Sequence, residues 1–467
     1  MATLTFHGAA QQVTGSMHLL EANGKLIALD CGLFQGRRAA TREANRTHPR
    51  DPKEFHAVVL SHAHIDHTGR LPLMVRDGFT GVIHATPATR DLCAIMLPDS
   101  AHIQEEDARW LNKKRRLNSE PPIEPLYTND DAIKTMKQIH TSPFQRWFKV
   151  ASGVHARYFE AGHMLGSAGI EIEITENGVK TTLVFTGDVG RCGSPILRDP
   201  APLPPCDYLI CESTYGGRTT DPVTDLKPRL AEVVRRTINR HGRVIIPAFS
   251  VGRTQTIIYF LRQLFVTGEL PQIPVYIDSP LAINATEVFK LHPECYDRDA
   301  REFMAESGGL LDGPEIHYTR TVEESKRVTR RRSPCVVIAA SGMCEAGRIL
   351  HHLRNGIASE KNTVLIVGFQ AQHTLGRRIV EREPYVNIYG ERHKLNAEVA
   401  VLNGFSSHAD AVELKRHVDP VLGKCRAIFL VHGELDQSTA LANTLREKGQ
   451  HQVLIPAMGE TVTLTTP

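Results

Sequence analysis

The stretch LSHAHIDHTG, residues 60–69, places three histidines and one aspartate within six positions. It begins at the end of the apolar run HAVVL, which is typical of a buried β-strand. Imidazole and carboxylate groups together bind zinc, and also iron or manganese. An irregular loop after a strand can turn two of these side chains toward one ion and two toward a second. The pattern therefore predicts half of a metal site, with a solvated histidine-rich loop as the alternative. The four candidate ligands are His62, His64, Asp66 and His67.

Three further residues that can bind a metal also lie next to the end of a predicted strand. His163 lies in the glycine-rich turn of EAGHMLGSAG, Asp188 follows the apolar run TTLVF, and His432 follows FLV. Each has an ordinary alternative, because a lone histidine is often a hydrogen-bonded structural residue and a Gly-Asp pair is often a turn. They gain weight because the first motif is incomplete without partners. The two oxygens of Asp188 could bridge two ions.

The same kind of apolar run, ending abruptly at polar or glycine residues, recurs along the chain and predicts buried strands. The runs occupy residues 56–64, 181–188, 207–214, 243–250, 274–280, 334–342, 362–370 and 426–434. Helical patterns such as 253–264 and 410–418 lie between them, which indicates α/β layering. A length of 467 residues favours two large domains. Pro-rich residues 198–207 are typical of a linker, and the charged segment 98–141 of an insertion.

Composition restricts the functional classes. No apolar run approaches the roughly 20 residues that a membrane helix needs. The nine cysteines form no C-x-x-C pair, which predicts reduced thiols and a cytoplasmic location. A net charge of +3 does not by itself indicate a nucleic-acid-binding protein. Two basic clusters, residues 113–116 and 326–332, are either solvated helix faces or contacts to a polyanionic substrate.

Several motifs resemble those of one protein family. The stretches SHAHIDHTG, GHMLGSAG, FTGDVG and LDCG are similar to the metallo-β-lactamase fold. The stretches ICESTYG, ASGMCEAGR, GFQAQHTLGR, GFSSHAD and LVHGELD resemble its beta-CASP branch, which includes RNA nucleases related to the cleavage-and-polyadenylation endonuclease. The resemblance implies an α/β fold, a metallo-β-lactamase αββα sandwich with an inserted beta-CASP domain. The implied boundaries are 1–206 and 386–467 for the first domain and 207–385 for the second.

The resemblance also implies roles for individual residues. Two zinc ions per chain are expected, one held by His62, His64 and His163 and the other by Asp66, His67 and His432, with Asp188 bridging. Asp30 would orient ligands and solvent. His408 would be a general acid and Glu212 its charged partner. The alternatives are a capping or core role for His408 and a buried turn acid for Glu212. The catalytic candidates are Asp30, Asp66, Glu212 and His408.

The function that follows from the resemblance is zinc-dependent hydrolysis of single-stranded RNA in RNA processing, mainly endonucleolytic, with 5′-exonuclease activity left open. A histidine at position 432 favours RNA, because DNA-repair members typically lack it. The alternatives are a hydrolase of DNA or of a small ester, and a noncatalytic partner. A homodimer is left open. Residues expected to contact substrate phosphates, with structural roles as the alternative for the arginines, are Ser341, Gly342, Arg253, Arg348 and Ser407. Residues 8–16 are expected to line the site.

Overall fold

The computed structural model describes residues 1–36 and 38–465, which fall into two compact units. The first unit comprises Met1–Cys192, Asp199–Thr219 and His408–Pro467. The second comprises Gly193–Arg198 and Thr220–Ser407. Among the described residues, no helix is both long enough and apolar enough to span a membrane.

Strands and helices are numbered in chain order. The strands are β1 Thr3–Gly8, β2 Met17–Ala22, β3 Lys25–Leu29, β4 Phe55–Val59, β5 Val82–Ala85, β6 Ile139–Thr141, β7 Phe148–Ala151, β8 Val154–Glu160, β9 Ala168–Glu176, β10 Val179–Phe185, β11 Tyr208–Glu212, β12 Arg243–Pro247, β13 Val275–Ile277, β14 Ile316–Tyr318, β15 Cys335–Ala339, β16 Thr363–Ile366, β17 Tyr385–Ile388, β18 Glu391–Lys394, β19 Glu398–Val401, β20 Ala427–Val431, β21 Val453–Leu454 and β22 Thr461–Thr463. The helices are α1 Arg38–Arg46, α2 Ile65–Thr68, α3 Leu71–Arg76, α4 Pro87–Leu117, α5 Asn129–Met136, α6 Leu226–Asn239, α7 Arg253–Val266, α8 Pro280–Leu291, α9 Arg298–Ser307, α10 Val322–Arg330, α11 Ile349–Gly356, α12 Leu375–Val380, α13 Ala411–Val418 and α14 Leu435–Glu447.

The first unit is built on two seven-stranded sheets. Their strand orders are β22-β1-β2-β3-β4-β5-β6 and β21-β20-β11-β10-β9-β8-β7. One apolar cluster joins the two sheets face to face and includes Leu4, Phe6, Ile170 and Phe429. Helices α13 and α14 cover the other face of the second sheet, where Leu414 and Leu441 pack among its strands. This layering confirms the predicted α/β fold class.

Strand ends in the first unit position the site. Strands β3 and β4 are parallel, and so are β10, β11 and β20. Parallel neighbours end at the same edge of their sheet, where open α/β sheets place ligand sites. The chain emerges there at five candidate residues: Asp30 after β3, His62 after β4, Asp188 after β10, Glu212 at the end of β11 and His432 after β20.

The second unit holds a six-stranded sheet of order β14-β13-β15-β12-β16-β19. Every neighbouring pair in it is parallel. The loops after its strands therefore meet at one edge. A hairpin of β17 and β18 is added beside an apolar cluster that includes Val364, Ile366 and Ile388.

One feature of the fold differs from what the sequence predicts. The charged segment 98–141 is not a separate insertion, because α4 runs from Pro87 through Pro98 to Leu117 and β6 pairs with β5. The Thr86 side chain caps that helix by accepting from the Thr89 amide, and this cap together with Pro87 in the first turn starts it early. Buried Leu97 and Ala101 pack on both sides of Pro98.

The chain passes between the two compact units after residues 192, 198, 219 and 407. Strand β11 at 208–212 belongs to the first unit, where it hydrogen-bonds to β10 and β20. The predicted domain boundaries lie after 206 and 385. The limits of the domains as the family defines them stay a prediction.

Candidate metal centre and active site

The histidine-rich stretch leaves β4 and turns into the single-turn helix α2. The amides of His67 and Thr68 both donate to the His64 carbonyl, which closes that turn. The Asp66 carbonyl accepts from the Ser16 amide at 2.8 Å. A Cβ atom at Gly32 would lie 1.6 Å from that same carbonyl oxygen, so only glycine permits the close approach. Local packing therefore fixes the loop that carries the first four candidate ligands.

The first group of ligand atoms belongs to His62, His64, His163 and Asp188. The Nδ1 atom of His64 lies 3.1 Å from Nε2 of His62 and 3.2 Å from Nε2 of His163. Both of those Nε2 atoms lie 3.5 Å from Oδ2 of Asp188. The four side chains thus converge, although their residues are up to 126 positions apart in sequence.

The second group belongs to Asp66, His67 and His432. Nε2 of His432 lies 3.1 Å from Nε2 of His67 and 3.4 Å from Oδ2 of Asp66. Nε2 of His67 lies 3.4 Å from Oδ1 of Asp188. Asp188 therefore presents one oxygen to each group, which is the geometry of a bridging carboxylate.

These residues fit divalent cations. Ligand nitrogens on a tetrahedral zinc ion are separated by about 3.3 Å, close to the spacing in both groups. Asp188 Oδ1 and His163 Nδ1 are buried and have no hydrogen-bond partner among the described residues. Burial lowers the pKa of His64 to about 4 and holds the pKa values of His62 and His163 well below their usual range. All three imidazoles are then neutral at pH 7, the form that binds a metal.

Asp30 contacts His67 at the ring nitrogen that faces away from the second group. Its Oδ1 accepts from the Ser61 amide at 2.8 Å, and its Oδ2 accepts from the Ser61 hydroxyl at 2.8 Å. His67 Nδ1 lies 2.7 Å from the same Oδ2. In the neutral form that a metal ion requires, an Nδ1 proton donated to Asp30 would leave the Nε2 lone pair of His67 facing the second group. Asp30 adopts a φ of 62°, a conformation that aspartate tolerates better than most residues.

His408 and Glu212 form a buried pair beside the ligands. His408 Nδ1 lies 3.2 Å from both carboxylate oxygens of Glu212, and its Nε2 lies 3.9 Å from Oδ2 of Asp188. Glu212 is fully buried and accepts from the Val189 amide at 2.6 Å. Burial alone would lower the pKa of His408, but the Glu212 and Asp188 carboxylates outweigh it and raise that pKa to about 9. A cation held by Asp188 would cancel the contribution of Asp188 to this rise in the pKa of His408, while the contribution of Glu212 stays. The imidazole is 21% exposed, so a substrate atom can reach it.

Comparison with known proteins agrees with this geometry. The Metallo-beta-lactamase superfamily model matches residues 11–240, the Beta-Casp domain model matches 254–379, and the model of a Zn-dependent metallo-hydrolase RNA specificity domain matches 392–456. A protein named Ribonuclease TTHA0252 from Thermus thermophilus is 35% identical over 97% of this chain and 98% of its own length. The chain belongs to the beta-CASP branch of the metallo-β-lactamase superfamily.

Other similar proteins cover nearly the whole chain. Two proteins named Transcription termination factor FttA, from Methanosarcina mazei and Pyrococcus horikoshii, are 29% and 30% identical over 95% of this chain, and the matches span 69% and 68% of their own lengths. A crystal structure of a protein of unknown function from Enterococcus faecalis superposes with a TM-score of 0.58. It covers 99% of this chain and all of its own at 13% identity, which supports the fold alone.

Sequence reasoning missed several side chains that hold the ligands of this beta-CASP protein. The Ser61 hydroxyl lies 3.0 Å from His62 Nδ1 as well as bonding Asp30. The Thr214 hydroxyl donates to the His432 carbonyl at 2.8 Å and lies 3.1 Å from His432 Nδ1. The His432 amide donates to the Ala9 carbonyl at 2.6 Å, so the segment 8–16 supports the site through its backbone. Their position next to recognised residues could have indicated these roles, since Ser61 precedes His62 and Thr214 lies two residues after Glu212.

The predicted phosphate contacts of the Beta-Casp domain have other partners in this structure. Arg348 Nη1 donates to Asp278 at 2.8 Å and to the Thr319 carbonyl at 3.0 Å, which matches the structural alternative. Arg253 Nη1 donates to the Val367 carbonyl at 2.6 Å. The Ser341 hydroxyl accepts from the amides of Glu345 and Ala346. Phosphate binding by these residues, and by Gly342 and Ser407, stays a prediction.

Proposed function

We propose that this beta-CASP protein is a ribonuclease that hydrolyses the phosphodiester bonds of single-stranded RNA with two bound zinc ions. The convergence of seven candidate ligands, six of them around Asp188, with the His408–Glu212 pair alongside, is the observation that carries the proposal. His62, His64 and His163 would hold one ion, Asp66, His67 and His432 would hold the other, and Asp188 has an oxygen available for each. The relative named as a ribonuclease and the match to an RNA specificity domain support RNA as the substrate.

The reaction adds water across the bond between phosphorus and the 3′ oxygen. When bound, two divalent cations lower the pKa of water and neutralise the charge that builds on the phosphoryl oxygens. The Glu212 carboxylate raises the pKa of His408, which favours the charged imidazolium. Glu212 holds Nδ1 of His408, so Nε2 faces the ligand cluster. From Nε2 it donates a proton to the departing 3′ oxygen, which gives a 3′-hydroxyl and a 5′-phosphate.

Two other functions are disfavoured. A noncatalytic partner in this family would lack ligands, whereas all seven candidates converge in this chain. A DNA or small-ester hydrolase has the same metal chemistry, and substrate comparison separates it from the proposal. The basic cluster at 326–332 supports a polyanion, since Lys326, Arg327 and Arg330 are exposed on and beside α10.

The first prediction concerns metal content. The purified protein should hold about two zinc ions per chain, because the seven ligands form two sites that share Asp188. His62→Ala removes a ligand of the first group alone and should lower the content to about one ion. His56→Ala, an exposed histidine on the preceding strand β4, is the matched control and should keep both. Metal analysis by mass spectrometry on folded protein is the measurement, and full zinc retention by His62→Ala would contradict the ligand assignment.

The second prediction concerns substrate and salt. Single-stranded RNA should be cleaved in preference to DNA of the same sequence and to duplex RNA. The logarithm of the binding constant should fall with the logarithm of salt concentration by about 0.7 for each phosphate contact. Arg330→Ala should reduce that slope by about the same amount if the residue contacts a phosphate. Arg298→Ala, which removes an exposed arginine paired with Glu302, is the control. Equal cleavage of DNA and RNA would favour the alternative hydrolase.

A further inference from the structure

Two exposed phenylalanines lie at the carboxyl-terminal edge of the parallel sheet in the second unit. Phe249 follows β12 and is 43% exposed, and Phe369 follows β16 and is 58% exposed. Strands β12 and β16 are neighbours, so the two loops leave the sheet side by side. Large apolar rings are rarely left in water without a binding role when they are grouped. We call Phe249 and Phe369 the aromatic platform.

The loops that carry the platform are tied together. Arg253 Nη1 donates to the Val367 carbonyl, which joins the loop after β12 to the loop after β16. Gln370 Nε2 donates to the carbonyls of Gly342 at 3.0 Å and Gly368 at 3.2 Å, which joins the loop after β15 as well. Hydrogen bonds therefore connect the loops that carry the platform to each other and to the loop after β15.

The ring of Phe249 is held on one side and open on another. A Cβ atom at Gly342 would lie 3.1 and 3.2 Å from two ring carbons, so the ring packs directly against that glycine. The guanidinium carbon of Arg253 lies 5.7 Å from the ring centroid. Helix α7, 14 residues long, begins at Arg253, and its positive amino-terminal end adds to the charge of that arginine. The exposed ring of Phe249 thus adjoins positive charge.

We infer that the aromatic platform stacks on unpaired bases of the RNA substrate, an inference that rests on the proposed function. A single nucleic-acid strand is complementary to this surface. Its bases present π faces that stack on aromatic rings, and its phosphates carry the negative charge that Arg253 and the amino-terminal end of α7 attract. Stacking tolerates any base and requires that base to be unpaired. The platform therefore gives this unit a physical reason to prefer single strands over duplexes.

The test measures binding and cleavage by the zinc-loaded full-length protein. Phe249→Ala and Phe369→Ala should each raise the Kd and KM for a labelled single-stranded RNA by about 5- to 150-fold, the usual effect of losing one stacked base. The kcat at saturating RNA and the zinc content should stay near wild type, and Phe249→Trp should restore affinity. Tyr389→Ala is the matched control, because that ring is 52% exposed in the same unit but lies on the β17–β18 hairpin turn.

Abasic RNA separates stacking from a general loss of contact. With an abasic site placed at each position in turn, wild-type protein should bind more weakly at the positions that stack. Phe249→Ala should show no additional loss at one of those positions, because the two changes remove the same contact. Equal losses in wild type and in both alanine variants at every position would overturn the platform.

The remaining outcomes are also decisive. Normal RNA binding by both alanine variants, together with a change in self-association during sedimentation, would replace the platform with a protein interface. Failure of the wild-type protein to bind or cleave the intact RNA would overturn the proposed function itself, and the platform with it. Cleavage by wild type with unaltered KM in both variants would overturn the platform alone.

Discussion

Replacing His408 with alanine is expected to slow RNA cleavage by about 10²–10⁴-fold, the usual contribution of a positioned acid or base. The imidazole is placed for this role by two contacts, with Nδ1 3.2 Å from Glu212 and Nε2 3.9 Å from Asp188. It lies outside both sets of converging ligands, so zinc content and RNA affinity should change little. Single-turnover cleavage, zinc analysis and RNA binding on the same preparation are the measurements.

Changing the leaving group identifies the step that His408 serves. An RNA with sulfur in place of the scissile 3′ oxygen releases a thiolate, which needs little protonation. His408→Ala should therefore cleave this linkage at close to the wild-type rate. If the variant loses zinc, His408 is a ligand through the alternative group of Asp188, Glu212 and His408. If it cuts the natural linkage at the wild-type rate, the proton comes from another donor.

Glu212→Gln tests how the charge on His408 is maintained. The Glu212 carboxylate raises the pKa of His408 against the effect of burial. A general acid loses its proton as the pH rises through its pKa, so wild-type cleavage should decline on the alkaline side of the pKa of His408. Without the carboxylate the pKa of His408 should fall, and the alkaline decline should move to lower pH. The measurement is a pH profile of kcat for the two proteins. Identical profiles would show that Glu212 does not set the pKa of the general acid.

Replacing Asp188 with asparagine is expected to remove both metal ions and to lower cleavage by about 10⁴-fold or more. Its two oxygens face different ligand groups, at 3.5 Å from His62 and 3.4 Å from His67. Loss of both ions would leave water with a pKa of about 15.7 instead of about 7, a far weaker nucleophile at neutral pH. His62→Ala and Asp66→Ala each disturb one group, so they are matched controls that should each retain about one ion.

Thermal unfolding with added zinc gives the Asp188 prediction a readout independent of catalysis. A metal that binds only the folded chain stabilises it, by about 2.7 kcal/mol at 100 times its Kd. The wild-type Tm should therefore rise with zinc, while that of Asp188→Asn should not. Asparagine has nearly the shape of aspartate, so the variant should still fold. Two zinc ions retained in Asp188→Asn would exclude the bridging role.

The sequence alone predicted much of the buried framework. Each of the eight apolar runs overlaps one observed strand, and these strands are β4, β10, β11, β12, β13, β15, β16 and β20. Long apolar runs are reliable because a strand buried on both faces needs every residue to be apolar. Some short strands, such as β6 and β14, carry no comparable pattern and were missed. The extent of α4 was also missed, since the charged segment from residue 98 onward was interpreted as an insertion.

More of the candidate site than of the surrounding fold could be predicted from the sequence. The histidine-rich stretch and three strand-end residues were recognisable because metal binding demands particular side chains at strand ends, and a resemblance supplied their grouping. All seven are now brought together within one unit. The supporting residues Ser61 and Thr214 were missed even though they lie close to recognised residues, because a serine or threonine in a loop has many ordinary roles.

The type and spacing of side chains such as His62 and His64 already identify the kind of chemistry. Which atom faces which partner depends on how the chain folds. It directs the two oxygens of Asp188 to different groups, engages Arg348 with Asp278, and leaves Phe249 open while Gly342 supports its ring. The physical reason is that these arrangements depend on contacts between residues distant in the chain, and pattern along a sequence records only which side chains are present and how the backbone near them folds.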